Sequence, residues 1–313
     1  MFSAWLPRPD AFRAAARRDG SLAGTCVPRH DAPMPNPPLH RPPRHPQVWI
    51  AFLLASQLLA FAVWARYGWH VGLPFMVATH LPFWWGVLWP TSSLYGPVLV
   101  RLPTQQRCVW LTIDDGPSTQ TPAVLDLLDA HAAKATFFVV GERAQAYPDQ
   151  LREIVRRGHA VGNHSTTHPS GRFWALGPRR MDEEITRAQR ILQDITGIAP
   201  RWFRAVVGLA NPFVSAPLMR HGLARVAWTA RGFDAVIADP HRVLALIERQ
   251  LRPGAIVLLH EGAAHGRNVE TLALILQRLD ALGYRCVLPE QFETAGDAPA
   301  TVTPAVSQPP ASC

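Results

Sequence analysis

Leu111-Thr112-Ile113-Asp114-Asp115-Gly116-Pro117 sets two adjacent carboxylates at the abrupt end of an apolar run. Val109, Trp110, Leu111 and Ile113 read as a buried parallel strand, because strands covered on both faces are apolar almost throughout. Gly116 and Pro117 stop that strand and turn the chain. Asp114 and Asp115 then fall at a strand's C-terminal rim, where α/β folds place their active sites. Neighbours in an extended segment point opposite ways, so the two carboxylates are expected to divide the work, one on a metal and one on a proton. A polar turn explains the pair equally well on its own, and the choice between these readings lies downstream.

Some fifty residues on, Gly162-Asn163-His164-Ser165-Thr166-Thr167-His168 supplies two histidines four apart. That spacing predicts a helical turn with both imidazoles on one side, about 5–6 Å apart at Cβ. Imidazole suits Zn²⁺, and a catalytic zinc usually joins three protein ligands to an open position for water. Asp115, His164 and His168 make such a set. In a chain with 13 histidines a pair at this spacing also arises by chance, so it needs company. His159 precedes the short strand-like stretch Ala160–Gly162 rather than leaving it, and reads as structural.

Together with Leu258-Leu259-His260, these two segments resemble the NodB-homology polysaccharide deacetylases, carbohydrate esterase family 4, over residues 105–291. The resemblance implies metal-dependent removal of acyl groups from amino sugars. By it, Asp114 is the base, Asp115, His164 and His168 hold the metal, and His260 is the general acid. Arg204 and Asp234 become the pair that orients and tunes Asp114, and a backbone N–H near Val207 meets the oxyanion. Glu261, His265 and Arg267 share the His260 loop and are weaker candidates for substrate contact. Two segments depart from the family pattern. Arg204-Ala205-Val206-Val207-Gly208 lacks the usual proline and aromatic, and Asp234 is followed by Ala235 where tryptophan is usual. Both departures bear on how the sugar is gripped, not on the metal or proton chemistry.

The order of the segments points the same way without the family. Candidate strands cover 108–113, 135–140, 160–162, 202–203, 224–228, 255–259 and 285–288. Helical patterns lie between them: one opened by Thr121-Pro122, one over 181–195, and one opened by Asp239-Pro240. Such alternation implies a parallel sheet or barrel, and the resemblance implies an α/β fold that is a distorted (β/α) barrel of about seven strands. Asp114, His164, Arg204, Asp234 and His260 each follow a different candidate strand closely, which random polar residues would not do.

Upstream, residues 1–46 are rich in Pro, Arg and Ala and read as an extended basic tail, with Met34 as an alternative start. Residues 47–100 read as a membrane-anchoring region of one or two spans. The first is the apolar stretch 48–64. The second, 71–89, is interrupted by Pro74, His80 and Pro82 and carries Trp84, Trp85 and Trp89, as interfacial residues do. Arg29, Arg41 and Arg44 place the N-terminus inside by the positive-inside rule, so one span puts the catalytic domain outside and two bring it back. Residues 292–313 read as a second disordered tail.

Composition removes other function classes. Lys+Arg 31 against Asp+Glu 23 gives +8, yet Lys134 is the sole lysine and the arginines scatter over tails, loops and helix ends. Nucleic-acid binding needs them clustered with aromatics on one face. Cys26, Cys108, Cys286 and Cys313 show no metal-ligand spacing, and the middle two read as buried apolar residues. The expected substrate is an acylated amino-sugar glycan of the cell envelope. A lipid-linked sugar, an acetyl-ester polysaccharide, and a catalytically dead carbohydrate-binding protein stand as alternatives. Oligomeric state is not legible.

Overall fold

The computed structural model describes residues 39–294. The Met34 start, Cys26, Cys313 and most of both tails lie outside the described residues.

Helices α1 (Val48–Tyr67) and α2 (Trp69–Leu88) hold 20 residues each and are joined at Gly68, whose φ is 79°. A side chain on Gly72 would collide with Trp64, and the Gln57 amide donates to Thr79 Oγ1 at 3.2 Å. The contacts therefore pair backwards along the chain, and the two helices form an antiparallel hairpin. Helix α2 runs unbroken through Pro74 and Pro82, which the sequence had suggested as interruptions. Only 6% and 17% of the two apolar windows are buried, so neither is the core helix of a soluble domain. Leu58, Phe61, Leu81 and Trp84 are among their exposed side chains.

The remaining chain alternates strands and helices. The strands are β1 (Val98–Leu99), β2 (Cys108–Gly116), β3 (Ala135–Val139), β4 (Ala160–Asn163), β5 (Trp202–Phe203), β6 (Ala224–Val226), β7 (Ala230–Arg231), β8 (Ala255–His260) and β9 (Arg285–Cys286). The helices are α3 (Thr121–Ala130), α4 (Gly141–Ala146), α5 (Pro148–Arg156), α6 (Pro178–Thr196), α7 (Ser215–Arg220), α8 (Pro240–Glu248), α9 (Asn268–Ala281) and α10 (Glu290–Thr294). All strand pairings are parallel, in the order β1-β6-β5-β4-β3-β2-β8-β7, with β9 pairing the start of β2. This is the expected distorted (β/α) barrel with two more strands than expected, and β1 and β7 are two residues each.

The period of two along β2 explains both core and site. Val109, Leu111 and Ile113 face outward into a cluster with Val124, Leu128, Ile275 and Leu276 from α3 and α9. Trp110 faces inward, packing with Phe138, Trp202 and Ile256. Thr112 and Asp114 follow Trp110 on the inner face, so the barrel interior grades from apolar to acidic along one strand. A register slip of one residue would send Asp114 outward and Ile113 into the site.

Two boundaries differ from expectation: α10 (Glu290–Thr294) extends into the stretch read as a tail from 292, with Phe292 packed on the interior cluster, and the first tail ends earlier than read. Leu39 is buried in the interior cluster and His40 lies edge-on to Trp202 at 5.3 Å, so the packed chain begins ahead of residue 46. An apolar side chain closing the barrel removes surface from water, which outweighs the extended preference of the prolines around it. Cys108 and Cys286 are free thiols, the first buried and the second partly so.

Candidate active site and metal centre

Asp114 and Asp115 end β2 through a bulge. Between Asp114 and Gly116 the register with β3 shifts, and Asp115 adopts a left-handed φ of 71°. The bulge re-aims the second carboxylate, as bulges at sheet rims do. Both aspartates thereby approach one imidazole, rather than pointing oppositely as an unbroken strand requires. His164 Nε2 lies 3.7 Å from Asp114 Oδ2 and 3.5 Å from Asp115 Oδ1.

The histidines also reach the site by a route the spacing did not foresee. Residues 164–168 form a loop, not a helical turn, with Ser165 and His168 left-handed at φ 69° and 52°. Asn163 Oδ1 accepts from Ser165 N at 3.0 Å, a local turn that Asn side chains favour. Glu184 of α6 accepts from Thr166 N and Thr167 N at 3.0 and 2.9 Å. Neither residue was singled out from sequence, although Asn163 precedes a histidine directly and Glu184 falls within a helix read as merely amphipathic.

Asp115, His164 and His168 offer one donor atom each, all within 4.8 Å of one another. His168 Nε2 is 3.0 Å from Asp115 Oδ1. Asp115 Oδ1 is nonetheless buried with no hydrogen-bond partner. His164 Nδ1 lies 2.8 Å from the Arg204 carbonyl, which only accepts. Nδ1 therefore carries the proton, and Nε2 turns its lone pair into the cluster. Burial alone would raise the Asp115 carboxyl, but His164 and His168 in their protonated, donating form would outweigh it and hold it far below the usual carboxylate range. Two imidazoles converging with an orphaned carboxylate oxygen fit a divalent metal.

Arg204 follows β5 and is 1% exposed. Its guanidinium lies over Phe138 at 4.2 Å and donates to Asp114 Oδ1 at 2.7 Å, Thr112 Oγ1 at 2.8 Å and the Ala227 carbonyl at 2.9 Å. Asp234 does not join it, contrary to the sequence reading. Asp234 leaves β7 beside β8, and its carboxylate accepts from His260 N at 2.7 Å and meets His260 Nδ1 at 2.9 Å. Arg204 serves Asp114, and Asp234 serves His260. Burial pushes the His260 imidazolium down, but the hydrogen bond and charge of Asp234, aided by Asp114 and Asp115, carry its pKa up to about 9.

The neighbouring residues are structural. Glu261 is buried, accepts from Ser118 and Thr121 hydroxyls at 2.9 and 2.7 Å, and occupies the space a Cβ on Gly116 would need. Burial first, opposed by those hydroxyls, leaves its carboxyl at about 7. His265 Nε2 meets the Asp234 carbonyl at 2.8 Å, and Arg267 pairs with Glu270 at 2.6 Å. His159 is buried beside Phe137, its Nδ1 accepting from Ala135 N at 3.3 Å, as a structural histidine.

The same two-aspartate, two-histidine rim lies within a stretch that known proteins share. A family model described as polysaccharide deacetylase matches residues 101–226. A chitooligosaccharide deacetylase of Bradyrhizobium sp. (strain ANU 289) is 38% identical over 162 residues, covering 51% of this chain and 73% of that protein. The chain belongs to the NodB-homology polysaccharide deacetylases. A peptidoglycan-N-acetylglucosamine deacetylase of Bacillus cereus is 32% identical over 202 residues, covering 62% of this deacetylase and 71% of that one. A family 4 carbohydrate esterase from Streptomyces lividans, solved with acetate, superposes with a TM-score of 0.54 at 31% identity, over 60% of this chain and 96% of that one. Membership makes this polysaccharide deacetylase a hydrolase of carbon–nitrogen bonds other than peptide bonds.

Proposed function

We propose that this deacetylase removes N-acetyl groups from amino-sugar glycans, using a divalent metal, zinc, held by Asp115, His164 and His168. The observation that carries this reading is the division of the rim into two pairs. Asp114 is fixed by Arg204 on one side, and His260 is fixed by Asp234 on the other. The names of the Bradyrhizobium and Bacillus relatives support N-acetylglucosamine units as the substrate.

When bound, the metal acidifies the attacking water and polarises the acyl carbonyl. Arg204 occupies Asp114 Oδ1, which leaves Oδ2 to take the proton from that water as it attacks the amide carbon. A backbone N–H near Val207, exposed three residues beyond Arg204, is assigned to the oxyanion. His260 is the acid for the departing amine. A pKa of about 9 keeps it protonated at neutral pH, and Asp234 on Nδ1 leaves Nε2 as the atom that gives up the proton. Burial of Asp114 and Arg204 excludes water from the pair and strengthens their contact. The chelator-sensitive release of acetate from chitooligosaccharides, set against acetylated xylan, tests the substrate. Release from xylan alone would replace the amide reading with the ester one, and release from neither would favour a dead site.

We infer that α1 and α2 cross a membrane as a hairpin, which places residues 39–47 and the catalytic domain on one side. A second substrate reading, a lipid-linked amino sugar, draws support from where that hairpin meets the domain. Trp84 stands 6.2 Å from Trp174, six residues beyond His168, and Trp49 lies 5.7 Å edge-on to Phe213. Gly208, four residues beyond Arg204, is packed under Trp228 and Pro90. The loops that follow the rim residues therefore rest on the membrane-facing end of the hairpin.

A further inference from the structure

Two cavities share no residue with the rim site. The first, about 610 Å³, is walled by Arg41, by Ser93 and the segment 96–101, and by Ala224 and Arg225 at the start of β6. The second, about 600 Å³, shares Arg41, Ser93, Gly96 and Pro97 and extends past Arg44 to Val48 and Trp49 in the first turn of α1.

Arg225 is the anomaly in the first wall. It is 5% exposed, yet its guanidinium Nη2 donates only to the carbonyls of Ser92 and Gly96, and its Nε is buried without a partner. Among the described residues no carboxylate pairs with it. Burial draws the guanidinium down to about 10 with no opposing charge to raise it. Arg204, as deeply buried, is matched by Asp114. A buried cation left without an anion is unfavourable, so natural proteins rarely keep one without use for it. Two further arginines, Arg41 and Arg101, line the same cavity, and among the described residues no aspartate or glutamate lines it.

We propose that the cavity walled by Arg101 and Arg225 binds a phosphate group, carried by a membrane lipid headgroup or by a soluble phosphate. Guanidinium groups present paired N–H donors that match phosphate oxygens. Ser93 lines the same wall, and the buried Nε of Arg225 lacks an acceptor. The second cavity connects this wall to the start of α1, the position from which a headgroup in the adjoining leaflet reaches it.

The test uses the full-length, metal-loaded protein in two arms. One titrates inorganic phosphate against chloride at equal ionic strength in detergent. The other compares nanodiscs of phosphatidylcholine with nanodiscs containing phosphatidylglycerol. The proposal expects a saturable rise in Tm of about 2–4 °C in at least one arm. A rise with lipid alone assigns the headgroup, and a rise with phosphate alone assigns the soluble ion. Arg101→Gln loses the rise while keeping wild-type acetate release from chitooligosaccharide, which separates this site from the rim. Arg225→Met loses it too, and if that variant fails to fold, Arg101→Gln decides. No rise in either arm, or an undiminished rise in Arg101→Gln, overturns the proposal.

Discussion

Asp115 and His168 sit in left-handed backbone at φ 71° and 52°, a conformation that costs a non-glycine residue on the order of 1–3 kcal/mol. Both belong to the proposed metal set, so the strain is spent where it turns donors inward. His260 carries the clearest pH consequence. Its pKa lies above the ordinary value because Asp234 outweighs burial, so the protonated acid persists to about pH 9 and activity falls above that. Asp234→Asn removes the raising charge. The alkaline limb of the kcat/KM profile then moves down by a unit or more, toward ~6.5, the ordinary histidine value. An unmoved limb would detach Asp234 from proton transfer. At this scale the gathering of the seven candidate residues at one rim was legible, because each lies at or shortly beyond the C-terminal end of a strand. Their pairing was not. Whether Asp234 meets Arg204 or His260 depends on β7 lying beside β8, a neighbour relation that linear sequence does not display.

The loop from His164 to His168 owes its shape to α6. Glu184 is 4% exposed and accepts three hydrogen bonds, from Thr166 N, Thr167 N and Thr167 Oγ1. Glu184→Ala strands the buried Thr166 N–H at about 1–3 kcal/mol, frees the two donors of exposed Thr167 and slackens the loop. The expected result is a metal Kd weakened by roughly 10–100-fold, measured by competition with a chromophoric chelator, with the helix intact by circular dichroism. Metal affinity equal to wild type would show that the loop holds itself. All seven candidate strands appear in the sheet, although two of them, β5 and β9, hold only two residues each. The two missed strands, β1 and β7, are equally short and show no period of their own. The helical turn expected at His164–His168 failed for a related reason. Spacing of four is shared by helices and by loops held from outside, and Asn163 and Glu184 supply that hold here.

Across the whole molecule, the antiparallel hairpin favours the proposed two-span topology over the single span that composition left equally open. Reporters fused at residues 47 and 105 are expected to give same-side signals and one at Gly68 the opposite signal. Opposite signals at 47 and 105 would leave a single span. The barrel itself was legible because alternation of strand and helix admits few architectures, and its interior gradient from Trp110 to Asp114 follows from one strand's period. The central claim is that Asp115, His164 and His168 hold the metal while Asp114 handles the proton. Metal content and acetate release, measured together on purified Asp114→Asn and His164→Ala, test it most directly. The account predicts a metal-loaded Asp114→Asn with release lowered at least 10³-fold, and a His164→Ala that has lost both metal and release. A metal-free Asp114→Asn, or a His164→Ala that keeps its metal, would contradict it.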